Sequence, residues 1–297
     1  MKRMGMRSNS GLTYALKYAA GVLKQGIGMS KRQVYGEHGG RSPYIHSYST
    51  FNRYMGVAKD FVRWAKERGV NRLDRVTYEH VRAFLEEKAQ RGVSEKTLKV
   101  NTCALEKFFG AVGREDISGK LREDYQEIYS RGRLPGRALP FSNPQGVIEN
   151  LKDPAHRAVA GLQYLTGARV GDVKKMEVDE VGKRVLIHGS KGGRDREIDF
   201  SDRPDRFERV KELHRELQRH IEERGWKEIR ESYDEDLKQA VKKSGEVYTG
   251  SHAFRVSYAV ERFEELKAKG LSDEEADRVL TRELGHNRLE MSRYYRR

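Results

Sequence analysis

The chain has 297 residues, enough for two ordinary domains with a core in each. Its 59 Lys+Arg against 45 Asp+Glu leave a formal charge of +14, which favours a polyanionic partner, nucleic acid before any other. Anionic membrane is the rival partner, but no apolar run approaches the roughly 18 residues of a spanning helix.

At the N-terminus, Lys17 and Lys24 interrupt the apolar residues and no small-residue cleavage site follows, so a signal peptide is rejected. Residues 1–45 hold eight basic side chains and a single acid, Glu37, half the net charge in a sixth of the length. Leu12, Leu16, Ala19 and Leu23 can line one face of a helix, after which Gly26, Gly28, Gly36, Gly39 and Gly40 loosen the chain. Two readings of this stretch stand open: a basic arm on phosphates, or a solvated tail.

From Ser47 the period is helical. Phe51, Tyr54, Ala58, Phe61 and Ala65 recur at three- and four-residue steps until Gly69. Thr77 caps a second helix with Val81, Phe84, Leu85 and Ala89 inward, ending at Gly92, and Ser94 caps a third with Leu98, Leu105, Phe108 and Phe109 inward. Residues 46–117 therefore read as a small helical bundle with basic outer faces. Cys103, the single cysteine, lies in the third helix beside Ala104 and Leu105; it reads as a buried small apolar residue and points to a reducing, intracellular setting. Residues 118–140 read as a basic linker, because Gly119, Gly132, Pro135, Gly136 and Pro140 alternate with Arg131, Arg133 and Arg137. The second domain, 141–297, is helix-heavy. Its one clear β signal is Arg184–His188, a turn at Ser190-Lys191-Gly192-Gly193, then Arg196–Phe200.

Four local motifs of that domain bear on chemistry. In Thr166-Gly167-Ala168-Arg169-Val170-Gly171-Asp172, a helix ending at Gly167 would be followed at once by another. Arg169 would then sit in a first turn rich in free N–H groups, good ground for an anion, with Asp172 beside it to orient the guanidinium. Taken alone, this is more often a surface Arg–Asp pair. Lys191 rides the tip of the hairpin, where a lysine can deliver a proton or merely aid solubility. His252 and Arg255 stand three apart on one helix face, a common spacing that would let both reach one phosphate. Ser272-Asp273-Glu274-Glu275 is a capping box opening a helix that Gly285 would end in a left-handed cap, leaving His286 at the turn, before Tyr294 and Tyr295.

In this order, Arg169, Lys191, His252-x-x-Arg255, Leu284-Gly285-His286 and a terminal tyrosine resemble the catalytic domain of the tyrosine recombinases and phage-type integrases. The resemblance covers the C-terminal half, and the bundle at 46–117 is similar to the family's core-binding domain. It implies a fold that is mainly α with a small β-sheet, in two domains that clamp duplex DNA: the helical core-binding domain and a mixed α/β catalytic domain at 141–297. It also implies roles. Arg169 and Arg255 would hold the non-bridging oxygens of the scissile phosphate. Lys191 would protonate the departing 5′ oxygen, His252 would take the nucleophile's proton or order the phosphate, His286 would hydrogen-bond the phosphate, and Asp172 would support Arg169. The family's tyrosine lies nine residues beyond this histidine, which selects Tyr295 over Tyr294. A phenol with an ordinary pKa near 10 needs such cationic surroundings to react.

A 3′-phosphotyrosine retains the bond energy, so no cofactor, ATP or metal is expected. The implied partners are double-stranded DNA and other copies of the chain, four protomers on two duplexes, in the cytoplasm at the nucleoid. A free monomer would not contradict that assembly. Two departures stand out. Val256 follows Arg255 where many relatives carry a second histidine, with little consequence expected. Only Arg296 and Arg297 follow Tyr295, whereas many relatives have a longer tail that docks on a neighbouring subunit. Either the sequence is truncated or its subunits communicate another way, and the sharing of the tyrosine is open. The rival functions are a type IB topoisomerase, which uses nearly the same residues, and a catalytically silent DNA-binding protein of the same fold.

Overall fold

The computed structural model describes residues 10–37, 42–133, 139–190, 193–286, 289 and 295. The protein divides into two compact units, residues 1–136 and 137–297. The first consists of α1 (Leu12–Leu23), α2 (Lys31–Glu37), α3 (Tyr48–Glu67), α4 (Tyr78–Gln90), α5 (Glu95–Ala111), α6 (Glu115–Glu123) and α7 (Tyr125–Ser130). Ser47, Thr77 and Ser94 open α3, α4 and α5 by accepting from the backbone N–H three residues on, at 3.3, 3.4 and 3.2 Å. These bonds satisfy donors that a helix start otherwise leaves orphaned. Phe61 sits at the centre of the core, edge-on to Phe84 and Phe109 at 5.5 Å each.

Two expectations fail in this unit. Residues 12–23 are neither arm nor tail: α1 buries Leu12, Ala15, Ala19 and Leu23 in the same core, with Leu16 at its margin and Lys17 and Lys24 exposed. Its start is tied down by backbone bonds, Leu12 N–H to the Asn71 carbonyl (3.0 Å) and Leu73 N–H to the Ser10 carbonyl (2.9 Å). Lys17 lies on the outer face of a helix whose apolar stripe has a proper helical period. Nor is the stretch after 117 simply a linker. α6 and α7 bury Ile117, Leu121 and Ile128 in the core, three apolar anchors outnumbered by polar residues in the sequence. Pro135, Gly136 and Arg137 lie outside the described residues. Cys103 is half-buried rather than buried, its Sγ 3.7 Å from the Tyr125 hydroxyl.

The second unit runs α8 (Pro144–Glu149), α9 (Pro154–Thr166), β1 (Met176–Asp179), β2 (Arg184–Ser190), β3 (Arg194–Asp199), α10 (Pro204–Arg224), α11 (Trp226–Lys243), α12 (His252–Ala268) and α13 (Asp273–Glu283). The strands form an antiparallel meander in the order β1-β2-β3, with Met176 opposite Ile187 and Val185 opposite Ile198. β1 has no counterpart in the sequence reading, being only four residues long and half polar. Val185, Ile187 and Ile198 turn inward onto the core formed with α9, α10 and α11.

α12 is the central element. Every residue from Ala253 to Ala259 is buried, as in a helix enclosed on all sides. Val256, Tyr258, Ala259, Phe263 and Leu266 form a second cluster with Ala276, Leu280 and Leu284, and Tyr295 belongs to it. α13 opens on the expected capping box, Ser272 with Glu275. No described helix is long and apolar enough to cross a membrane.

Candidate active site

α9 stops at Thr166 because Gly167 takes a left-handed conformation, φ 61°. Only glycine fits there on a second count, since a Cβ would stand 2.5 Å from Tyr258 Cδ1 and 2.8 Å from Leu284 Cδ2. The Gly167 carbonyl accepts from Arg255 Nη1 at 2.5 Å, which pins the following segment to α12. That segment is not a new helix. Arg169 lies in irregular chain, Asp172 N–H donates back to the Arg169 carbonyl at 2.8 Å, and only a single 3₁₀ turn, Val173–Lys175, follows. The expected helix N-terminus is therefore absent, and Arg169 is placed by side chains instead. Its Nη1 donates to Ser190 Oγ at 3.1 Å and stands 3.5 Å from Asp172 Oδ2, while the Ser190 hydroxyl donates to the same Asp172 oxygen at 2.8 Å.

Arg255, one turn into α12 from His252, is fully buried. Its Nη2 donates to the Leu284 carbonyl at 2.6 Å and to His286 Nε2 at 2.9 Å. A guanidinium only donates, so the neutral His286 ring keeps its proton on Nδ1, which has no hydrogen-bond partner among the described residues. Gly285, at φ 64°, ends α13 and exposes His286 at the turn. Tyr295 closes the arrangement. His252 Nε2 stands 3.0 Å from its hydroxyl, the His286 ring stacks on its ring at 5.4 Å and 6°, and the Arg255 guanidinium lies 5.8 Å from the ring centre.

The structure thus gathers Arg169, Asp172, His252, Arg255, His286 and Tyr295 in one unit. Lys191 and Tyr294 lie outside the described residues. Ser190, Arg196 and Glu283 belong to the same neighbourhood and were missed in the sequence. A usable signal existed for Arg196: it shares the buried, alternate face of β3 with Ile198 and Phe200, an unusual place for a charge.

Positive charge exceeds negative here. Asp172 is shared between Arg169 and Arg196, whose Nη2 stands 3.8 Å away. Burial, then the charge of Arg255, pulls the Arg196 guanidinium down to about 9, and burial takes Arg255 down to about 10. Burial also pushes His286 down to about 3, reinforced by Arg255, Arg169 and Arg196, so its ring is neutral. Arg255 Nε and His286 Nδ1 are buried donors with no hydrogen-bond partner among the described residues. Crowded cations with unspent donors make a site for an anion with several oxygens.

A helical unit followed by a mixed unit that brings Arg, His-x-x-Arg, His and Tyr together is the architecture of an integrase. Residues 45–116 match the phage integrase N-terminal SAM-like domain and residues 145–297 the phage integrase family, so the chain belongs to that family, the tyrosine recombinases. It is 25% identical over 166 residues to tyrosine recombinase XerC of Bacillus pumilus (strain SAFR-032) and 27% identical to XerC of Bacillus licheniformis. Each match takes in 52% of this chain and 53% of the relative, so the chain spans about half the length of the curated relatives it matches. A lambda integrase tetramer bound to a Holliday junction has a similar fold, with TM-score 0.62 at 18% identity over 99% of this chain and 80% of that one. The Tn1549 transposon integrase in complex with circular intermediate DNA is similar at TM-score 0.52 and 11% identity, over 96% of this chain and 94% of that one.

Proposed function

We propose that this chain is a site-specific recombinase that cuts and rejoins double-stranded DNA through a covalent bond to Tyr295. The observation that carries the reading is the 3.0 Å approach of His252 Nε2 to the Tyr295 hydroxyl, beside the buried Arg255. Tyr295 Oη attacks the scissile phosphorus as the bond to the 5′ oxygen breaks, giving a 3′-phosphotyrosine and a free 5′-hydroxyl. His252 takes the phenol's proton, and Lys191 gives one to the departing oxygen. Arg169 and Arg255 bind the non-bridging oxygens, and His286 Nδ1–H adds a neutral donor. Asp172 orients Arg169. A 5′-hydroxyl from another strand then attacks the phosphotyrosine and releases the enzyme, so no outside energy source is consumed.

The lambda integrase of similar fold forms a tetramer on a Holliday junction, and we extend that assembly to this chain: four protomers on two duplexes. Such a protein acts at the nucleoid. The test is covalent trapping on nicked duplexes that the protein itself selects from a random pool. Wild type forms a protein–DNA adduct that survives denaturation, and Tyr295→Phe forms none. Adduct formation by Tyr295→Phe would move the nucleophile elsewhere. Plasmid relaxation without recombinants would favour a topoisomerase, and binding without any adduct a silent DNA-binding protein.

A further inference from the structure

Arg196 has no part in the chemistry just described, yet it sits against it. Its side chain is 2% exposed on the core-facing side of β3. Nη1 donates to the Glu283 carbonyl at 2.7 Å, at the base of the turn that presents His286. The aliphatic stem runs beneath that turn, where a Cβ on Gly285 would stand 3.1 Å from Arg196 Cδ. Nη2 points the other way, 3.8 Å from the Asp172 carboxylate that also steadies Arg169. Glu283 is itself immobilised: its carboxylate takes Arg262 Nη2 at 3.0 Å and the Tyr258 hydroxyl at 2.6 Å.

As an element of stability Arg196 is a poor choice. It is a buried cation with Nε and Nη2 unbonded among the described residues, and an apolar side chain of similar volume would pack there without that desolvation penalty. Nη1 is held by the Glu283 carbonyl and Nη2 turns towards Asp172, so the residue acts through its neighbours. We propose that Arg196 is a positioning residue of the strand-cleavage site: a charged strut that sets the His286 turn at a fixed distance from the Arg169–Asp172 pair. Two clusters that grip one phosphate from different elements need such a link, because a misplacement of about 1 Å costs roughly 100-fold in rate.

This inference rests on the proposed strand cleavage, and its test separates the two. Single-turnover adduct formation, DNA affinity and melting temperature are measured for wild type, Arg196→Met, Arg196→Lys, His286→Ala and the double variant Arg196→Met/His286→Ala. Arg196→Met is expected to slow adduct formation by about 30-fold or more while DNA affinity stays within about two-fold and the melting temperature does not fall. Arg196→Lys, which restores the charge but replaces the guanidinium fork by a single ammonium, is expected to recover only part of the rate, to about five-fold above Arg196→Met. The double variant is expected to be no more than about three-fold slower than His286→Ala alone, because both changes disable one unit. If Arg196→Met does not fold, Arg196→Gln, which can still donate to the Glu283 carbonyl, takes its place. A neutral variant that cleaves at the wild-type rate, loses affinity in step with rate, or multiplies the His286→Ala defect would overturn the proposal. A wild-type protein that forms no adduct would instead sink the strand-cleavage reading.

Discussion

At His286, burial and the charges of Arg255, Arg169, Arg196 and His252 all act against protonation, holding the imidazole down at about 3. In an unfolded chain the same ring titrates near 6.5. Between those values the unfolded state binds a proton that the folded state refuses. The sign follows: the contribution to stability is complete above pH 6.5 and is lost as pH falls from there towards 3. Urea unfolding at about pH 7 and about pH 5 should therefore show a larger drop for wild type than for His286→Gln. An equal drop would mean that the ring is not held neutral in the fold. The residues gathered around Tyr295 could be named from the sequence because each sits in a short local motif, whereas Lys191 lies outside the described residues. Ser190 could not be, and Arg196 betrayed only its odd place on an apolar strand face, since their importance comes from what folds against them: an arginine loop for one, a helix end for the other.

At the level of elements, local rules did well where local physics decides. The helix starts at Ser47, Thr77, Ser94 and Ser272 could be read because a cap needs only its own few residues. The segment after Gly167 could not, because its course is fixed by Arg255 on a distant helix rather than by its own propensity. The failed linker at α6 and α7 has a similar cause: two buried apolar side chains within it, Leu121 and Ile128, outweigh a composition rich in Gly and Arg. Gly167 makes the dependence measurable. An alanine there needs an unfavourable left-handed backbone and drives its Cβ to 2.5 Å from Tyr258. Gly167→Ala should lower unfolding free energy by about 2–5 kcal/mol in denaturant titration, the sum of backbone strain and overpacking. A loss below about 1 kcal/mol would show that α9 and α12 part easily.

For the molecule as a whole, the +14 charge pointed to nucleic acid without saying where the charge would matter. Part of it never reaches the surface: Arg196, Arg203, Arg255 and Arg262 are buried in the second unit. Arg203 and Arg262 are answered by Glu283 and Arg196 shares Asp172 with Arg169, whereas the charge of Arg255 lies beside Tyr295. That the tyrosine lies against His252 and His286 of its own chain bears on the sharing left open by the sequence. Mixing Tyr295→Phe with Arg255→Ala protomers should restore no adduct, whereas adduct from the mixture would show a phenol lent between neighbours. Under the proposed function, each copy would then reach its DNA already armed, with blade and grip in one hand. What an assembly of such copies has to control is the order in which they strike, and that order has to come from restraint rather than supply.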